Sequence, residues 1–269
     1  MKYASIFKNE IVKYLLGTFL FTWIIWGLLI ASSKGIIDSN IYKYYKLRTI
    51  IIGGSIPSIF AIFYVGMRSG KAGLKQLLGK VLIWKINPLW YVFSIAYVYI
   101  IYYAPAVICN LFGNYYQLQL RYGPVYLFYL FLGQLYAGPI NEEFGWRGFV
   151  LPRLQRSFNP LTASVILGFI HVLWHLPLFL IYFTEPFNQY FIKVMCISVV
   201  YTWMYNHTKG SLLPIFLLHA NYNFLSVVFI MNTVQPTAIY FVLSNIFAIL
   251  PIIFMAVYML RFKYKKIVN

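Results

Sequence analysis

Apolar residues in this chain come in long runs, separated by short polar or turn-rich segments. Eight runs stand out, at about 13–32, 49–67, 89–112, 124–150, 160–183, 190–206, 211–231 and 237–260. A helix needs roughly 20 mostly apolar residues to cross about 30 Å of hydrocarbon, and backbone inside a bilayer must satisfy its own hydrogen bonds. The pattern therefore predicts an all-α fold, a polytopic transmembrane helix bundle of about eight spans. The first run follows MKYASIFKNEIVK, which has the look of a signal-peptide leader. Its apolar stretch is too long for one, so an uncleaved first span is expected. Segment 71–86, KAGLKQLLGKVLIWKI, sets Lys71, Lys75 and Lys85 among Leu74, Leu77, Leu78, Leu82 and Ile83. That spacing predicts an amphipathic helix lying on the inner surface. No repeat, low-complexity run or linker divides the chain. Residues 1–269 are expected to form a single membrane domain, with 124–231 as its catalytic core.

Composition agrees with this picture. The chain is 61% hydrophobic and 10% charged, against about 45–50% and about 25% in soluble domains. A water-facing surface cannot be covered with so few charges. Lys and Arg number 22 against 5 Asp and Glu, a net charge of +17. In a soluble protein that excess would point to nucleic acid. Here the basic residues sit mostly between apolar runs, where topology and anionic lipid account for them, and no nucleic-acid partner is expected. With the N-terminus inside, inner segments hold Lys2, Lys8, Lys13, Arg68, Lys71, Lys75, Lys80, Lys85, Arg153, Arg156, Lys209, Arg261, Lys263, Lys265 and Lys266. Outer segments hold only Lys34, Lys43, Lys46, Arg48, Arg121 and Lys193. The asymmetry predicts a multi-pass cell-membrane protein with both termini cytoplasmic. Cys109 and Cys196 fall inside apolar stretches and read as small buried hydrophobes.

Acidic residues are the rare event. They are Glu10, Asp38, Glu142, Glu143 and Glu185, and two of them are adjacent beside an apolar run. Of the histidines, His171, His175 and His219 lie in apolar stretches, while His207 at a span end reads as a solvated loop residue. Ionisable groups at membrane depth are costly and point to function. On helices, Glu143 and Arg147 are i,i+4 and can pair, and so can His171 with His175 and His219 with Asn223. At 1.5 Å per residue, Glu142 lies about 13 Å and His219 about 12 Å from the inner ends of their spans. His171 comes out at about 16 Å and His175 at about 22 Å, so the third helix must start lower, tilt, or offer His171 instead.

A carboxylate, an imidazole and a His/Asn pair in a sheltered cavity suit acyl hydrolysis. A glutamate can take a proton from water, a histidine can share that water and protonate the leaving amine, and His and Asn donors can stabilise an oxyanion. No Ser, Thr or Cys stands beside these histidines with a base relay, which disfavours a covalent nucleophile. The plainer readings stand alongside. Glu143–Arg147 suits a structural pair, and His171 a supporting group or core filler. Trp146, Trp174 and the many Tyr and Phe suit lipid-facing or interfacial packing.

Three motifs stand in order: Glu142-Glu143-Phe144-Gly145-Trp146-Arg147, then His171-Val172-Leu173-Trp174-His175, then His219-Ala220-Asn221-Tyr222-Asn223. On these the chain resembles the CAAX prenyl protease-like and bacteriocin-processing (CPBP, or Abi) family of intramembrane proteases, which includes the type II CAAX prenyl endopeptidase. The family pattern reads EExxxR, F/WxxxH and HxxxN or HxxxD, and the resemblance covers about residues 130–230. It departs at His171, where an aromatic is usual. The resemblance implies an intramembrane endopeptidase in which Glu142 and His175 activate water. It implies His219 and Asn223 as the oxyanion site, and Glu143 and Arg147 in support. It leaves open a glutamate-type mechanism or a metalloprotease, with Glu142, His175 and His219 as candidate zinc ligands beside a water. The absence of HExxH and the presence of Asn223 favour water activation without an obligatory metal. The expected partners are the lipid bilayer and a membrane-associated peptide or protein substrate, in a setting of bacteriocin maturation or self-immunity. The alternatives are a non-enzymatic immunity or scaffold protein that binds a partner through the same cluster, and a small transporter.

Overall fold

The computed structural model describes residues 2–113, 122–182, 186–232 and 238–261, and every regular element among them is helical. We label the helices α1 (Lys2–Ser33), α2 (Asn40–Gly79), α3 (Leu89–Leu111), α4 (Pro124–Leu135), α5 (Pro160–Trp174), α6 (Phe187–His207), α7 (Leu213–Asn232) and α8 (Ala238–Arg261). These match the eight apolar runs one for one. Start signals are orthodox: Pro124 and Pro160 occupy first-turn positions, and the Asn159 side chain caps α5 by accepting from the Thr162 N–H at 2.8 Å. Residues Arg121 and Glu185 and the basic tail Lys263, Lys265 and Lys266 lie outside the described residues.

Length and apolarity separate the helices into two groups. Four described stretches are long and apolar enough to cross a membrane alone: Asn9–Ser33, Asn40–Leu82, Leu89–Leu111 and Val242–Leu260. They belong to α1, α2, α3 and α8. The helices that carry the polar motifs are shorter or interrupted. α5 has 15 residues, where a span through 160–183 was expected. It stops because Pro177 cannot continue the ladder, and a single 3₁₀ segment, Leu176–Leu180, follows. Irregular backbone at membrane depth is tolerated where protein buries it. Here the long helices supply that cover: α1 packs on α2 and on the Leu176–Leu180 segment, and α3 on both α7 and α8, while α5 packs on α6.

The surface helix expected at 71–86 is the last part of α2. Gly70 adopts φ 57°, ψ −155°, a backbone that L side chains rarely take, and bends the helix there. Helix continues to Gly79, a 3₁₀ turn covers Lys80–Leu82, and residues 83–88 are not helical. Lys71, Lys75 and Leu78 face outward, whereas Leu77 is buried.

Basic segments that the charge pattern assigned to one side do gather at one end of the bundle. Glu10 pairs there with Arg68 at 3.5 Å and with Arg153 at 3.2 Å. The Lys80 ammonium donates to the Gly148 carbonyl at 2.7 Å and the Tyr205 hydroxyl at 2.9 Å. At the opposite end, the Tyr42 hydroxyl donates to the Ile181 carbonyl and Lys46 lies over the Tyr42 and Tyr182 rings. His207 is no solvated loop residue. It is half-buried at the end of α6, its Nδ1 donates to the Trp203 carbonyl at 2.7 Å, and the Trp90, Trp203 and Tyr258 rings surround it.

One close approach fixes how α2 meets the segment after α4. A Cβ on Gly145 would sit 2.6 Å from the Pro57 carbonyl oxygen and 2.8 Å from its carbon. Both are backbone atoms and cannot swing away. Glycine-to-alanine changes in helices usually stabilise by about 0.5–1 kcal/mol, yet Gly145→Ala is expected to destabilise by about 1–3 kcal/mol through overpacking. Gly27→Ala, whose Cβ would meet nothing within 4 Å, is the control and is expected to be neutral or better. Melting temperatures in detergent check the contrast, and equal effects of the two changes would contradict it.

Candidate active site

After α4 the backbone does not stay α-helical. Tyr136–Ile140 and Phe144–Val150 form wide π-type turns around the single turn Asn141–Glu143, and Leu151–Leu154 closes the run. Pro139 removes one N–H from the ladder, and glycines at 138, 145 and 148 lower its helical preference. Such turns occur mostly as short insertions at functional sites. Adjacent residues on a helix point about 100° apart, so Glu142 and Glu143 face different partners.

Glu143 is fully buried between Arg147 and His219. Arg147 Nη1 donates to its Oε1 at 3.0 Å, and both side chains are 0% exposed. His219 Nδ1 donates to the same oxygen at 2.8 Å. The carboxylate therefore fixes a proton on His219 Nδ1 and the orientation of the ring. A Cβ on Gly138 would lie 2.6 Å from Asn223 Nδ2 and 3.2 Å from His219 Nε2. Two nitrogens thus converge on bare backbone, and glycine is what allows them to. Asn221, the other amide of that motif, turns away and donates to the Ser94 carbonyl at 3.4 Å.

Glu142 faces the second motif. His171 Nε2 lies 3.0 Å from Glu142 Oε2, but out of line for a hydrogen bond, so this buried oxygen has no protein hydrogen-bond partner. His175 stacks on His171 with ring centroids 4.9 Å apart, and its Nδ1 donates to the His171 carbonyl at 3.1 Å. A neutral His175 then presents Nε2 as an acceptor. His171, expected in a supporting place, is thus the histidine against Glu142. The depth arithmetic explains why: His171 is nearer the level of Glu142 and His219, and α5 ends one residue short of His175.

Four aromatic residues around this cluster carried no separate signal in the sequence. Tyr201 lies under the Arg147 guanidinium at 4.6 Å and beside the His219 ring at 5.7 Å. Trp26, from the first run, stacks on His175 at 6.1 Å. Trp146 and Trp174 were expected to face lipid or the interface; both are 0% exposed and wall in the histidines, at 5.5 Å from His171 and 4.4 Å from His175 respectively. A tryptophan facing lipid and one facing a buried site look alike in a single sequence.

Two groupings could hold a divalent cation. The ligand atoms of Glu142, His171 and His175 lie within 4.8 Å of one another, as do those of Glu142, Glu143 and His219. The expected trio of Glu142, His175 and His219 is split between them. One oxygen and two imidazole nitrogens suit zinc, and the unbonded Glu142 Oε2 fits such a donor role.

Fold and site together define a polytopic helical membrane protein with a carboxylate–imidazole–amide cluster inside its helices. Residues 124–225 match the family model of Type II CAAX prenyl endopeptidase Rce1-like proteins, the family that the sequence motifs resemble. The chain is also 24% identical over 238 residues to CAAX prenyl protease 2 of Methanococcus maripaludis, covering 80% of this chain and 83% of the relative.

Proposed function

We propose that this protein is an intramembrane endopeptidase that hydrolyses peptide bonds of membrane-associated peptides, with residues 124–231 as its catalytic core. The observation that carries the reading is the buried Glu142 Oε2, which has no protein hydrogen-bond partner and lies 3.0 Å from an imidazole nitrogen. In this reading a water binds between Glu142 and the His171–His175 pair. Glu142 takes its proton as the water oxygen bonds to the scissile carbonyl carbon. The carbonyl oxygen becomes an oxyanion, held by His219 and by Asn223 Nδ2–H in the notch over Gly138. Collapse breaks the carbon–nitrogen bond, and the proton held by Glu142 passes to the leaving amine by way of His175. Glu143 and Arg147 hold the His219 ring in place.

Glu142, His171 and His175 would be the residues to hold a divalent cation. Such an ion would supply Lewis-acid polarisation of the carbonyl or the water. The reading does not need one, and cleavage by metal-stripped protein is expected to survive a chelator. Cytoplasmic termini put the basic end of the bundle on the inner leaflet. Processing of a bacteriocin-type secreted peptide is the setting that the family resemblance supplies.

The test is cleavage of a quenched peptide library by purified protein in liposomes. Wild type is expected to cleave, and no cleavage under any lipid composition would sink the reading. The two histidines are distinguished in the same assay. His175→Phe is expected to lose about 100-fold or more in rate, as removal of a proton-transfer group does. His171→Phe installs the aromatic usual in the family and is expected to lose about tenfold, by loosening Glu142. The reverse order would hand the proton-transfer role to His171.

A further inference from the structure

A second polar cavity lies away from this cluster, at the basic end of the bundle. Its volume is about 400 Å³, and the bent part of α2, the start of Leu151–Leu154 and the turn between α6 and α7 enclose it. Five cationic residues line it: Lys75, Lys80, Arg153, Arg156 and Lys209. None of its lining residues is acidic. Glu10 reaches one of the five, Arg153, and is shared with Arg68 outside the cavity. Like charges brought together in a partly enclosed space repel, and an anion bound among them offsets that repulsion.

Two details indicate that the cations are placed there. Lys80 spends two hydrogen bonds on neutral oxygens, the Gly148 carbonyl and the Tyr205 hydroxyl. An ammonium has three donors, so one remains, with no carboxylate within ion-pair distance among the described residues. Lys209 has φ 57°, the lone positive φ among described non-glycine residues. That backbone is unfavourable for an L residue, and a glycine or asparagine would relieve it. The neighbouring Gly210 N–H, bonded to the Tyr205 carbonyl at 2.9 Å, holds the turn, and so the lysine stays at the cavity rim.

We propose that this cavity binds a phosphate group. Several convergent lysines with arginine forks suit the three or four oxygens of a phosphate better than the two of a carboxylate. The group can be the head of an anionic lipid or a soluble phosphate, and either would bridge α2, the segment after Glu143–Arg147 and the α6–α7 turn. A phosphate bound here sits on the backbone that runs into the candidate active site.

The test uses the full-length purified protein in a neutral detergent. Retention of short-chain phosphatidic acid is measured by native mass spectrometry and thermal shift, beside inorganic phosphate and zwitterionic phosphatidylcholine. The cavity variant is K75Q/R156Q/K209N, which spares Lys80 and Arg153 because their bonds hold the fold. The control, K34Q/K43Q/R48Q, removes equal charge from exposed positions at the opposite end. Phosphatidic acid is expected to bind wild type and control alike, and the cavity variant about tenfold or more weakly, as loss of about three surface-level cationic contacts predicts. Inorganic phosphate binding with the same dependence on the cavity supports the site and makes its source soluble. Binding of phosphatidic acid alone makes the source lipid. Equal loss in cavity and control variants, or no loss in either, overturns the proposal. Melting temperatures without ligand report whether the variants fold.

Discussion

Glu142→Gln is expected to abolish peptide cleavage while leaving the fold intact. Glutamine keeps the volume and an acceptor oxygen beside His171, so the buried pocket neither collapses nor gains an uncompensated charge. What it loses is the ability to take a proton. General-base groups contribute about 10²–10⁴ in rate, and the variant should fall by that factor in single-turnover cleavage. Glu142 pairs with no basic side chain at i+4, and its Oε2 has no protein hydrogen bond to lose, so stability should barely change. Near-wild-type cleavage by folded Glu142→Gln would remove the carboxylate from the mechanism. It would leave the cluster as a binding site, which is what a scaffold or immunity protein would need.

The companion expectation concerns stability. Arg147→Met strips the guanidinium from a pair whose two side chains are 0% exposed and leaves the Glu143 carboxylate buried with His219 as its remaining hydrogen-bond partner. Breaking a buried pair from one side costs about 3–5 kcal/mol. Glu143→Gln/Arg147→Met should recover much of that loss, because a neutral amide oxygen still accepts from His219 Nδ1 and no charge is stranded. Denaturation of the two variants in matched micelles checks the order. If the double variant is no more stable than the single one, the Arg147 contribution is packing against Tyr201 rather than charge balance. Cleavage by the double variant should still be impaired, since the charged carboxylate that orients the His219 ring is gone.

The two outcomes differ in how visible they are in the amino-acid order. Glu143 and Arg147 declare themselves by i,i+4 spacing, and helix geometry alone brings them to 3.0 Å. The apolar runs likewise declare the helices, because period and length are local properties. The ends were less legible. α5 stops at Trp174 for reasons spread over Pro177 and the packing of Trp174, whose carbonyl accepts from the distant Trp23 indole. Reading 160–183 as one span put His175 too deep, and the same arithmetic already favoured the level of His171. Trp26 and Tyr201 were invisible because nothing in their own neighbourhoods marks which face meets the site. Wide turns over 136–150 were equally hidden: Pro139 and the glycines permit them, but only tertiary packing selects them. The cation cluster shows the limit most sharply. Charge counting assigned Lys75, Lys80, Arg153, Arg156 and Lys209 to one side, yet it took the bend at Gly70 and the turn at Lys209 to fold them around one cavity.

The wide turns on either side of Asn141–Glu143 make residue count itself a chemical quantity in this protein. Each π-type turn holds about one residue more than an α-turn, so it acts as a stored insertion. Closing such a turn into ordinary helix with its residue count unchanged would rotate everything beyond it by about 100°. Glu142 and Glu143 would then turn away from His171 and His219, the imidazoles that they now face. Many surface segments of such a chain can lengthen or shorten by a residue. Between Tyr136 and Val150 the spacing is a phase lock, and the adjacent glutamates hold opposite duties only while the lock keeps its count.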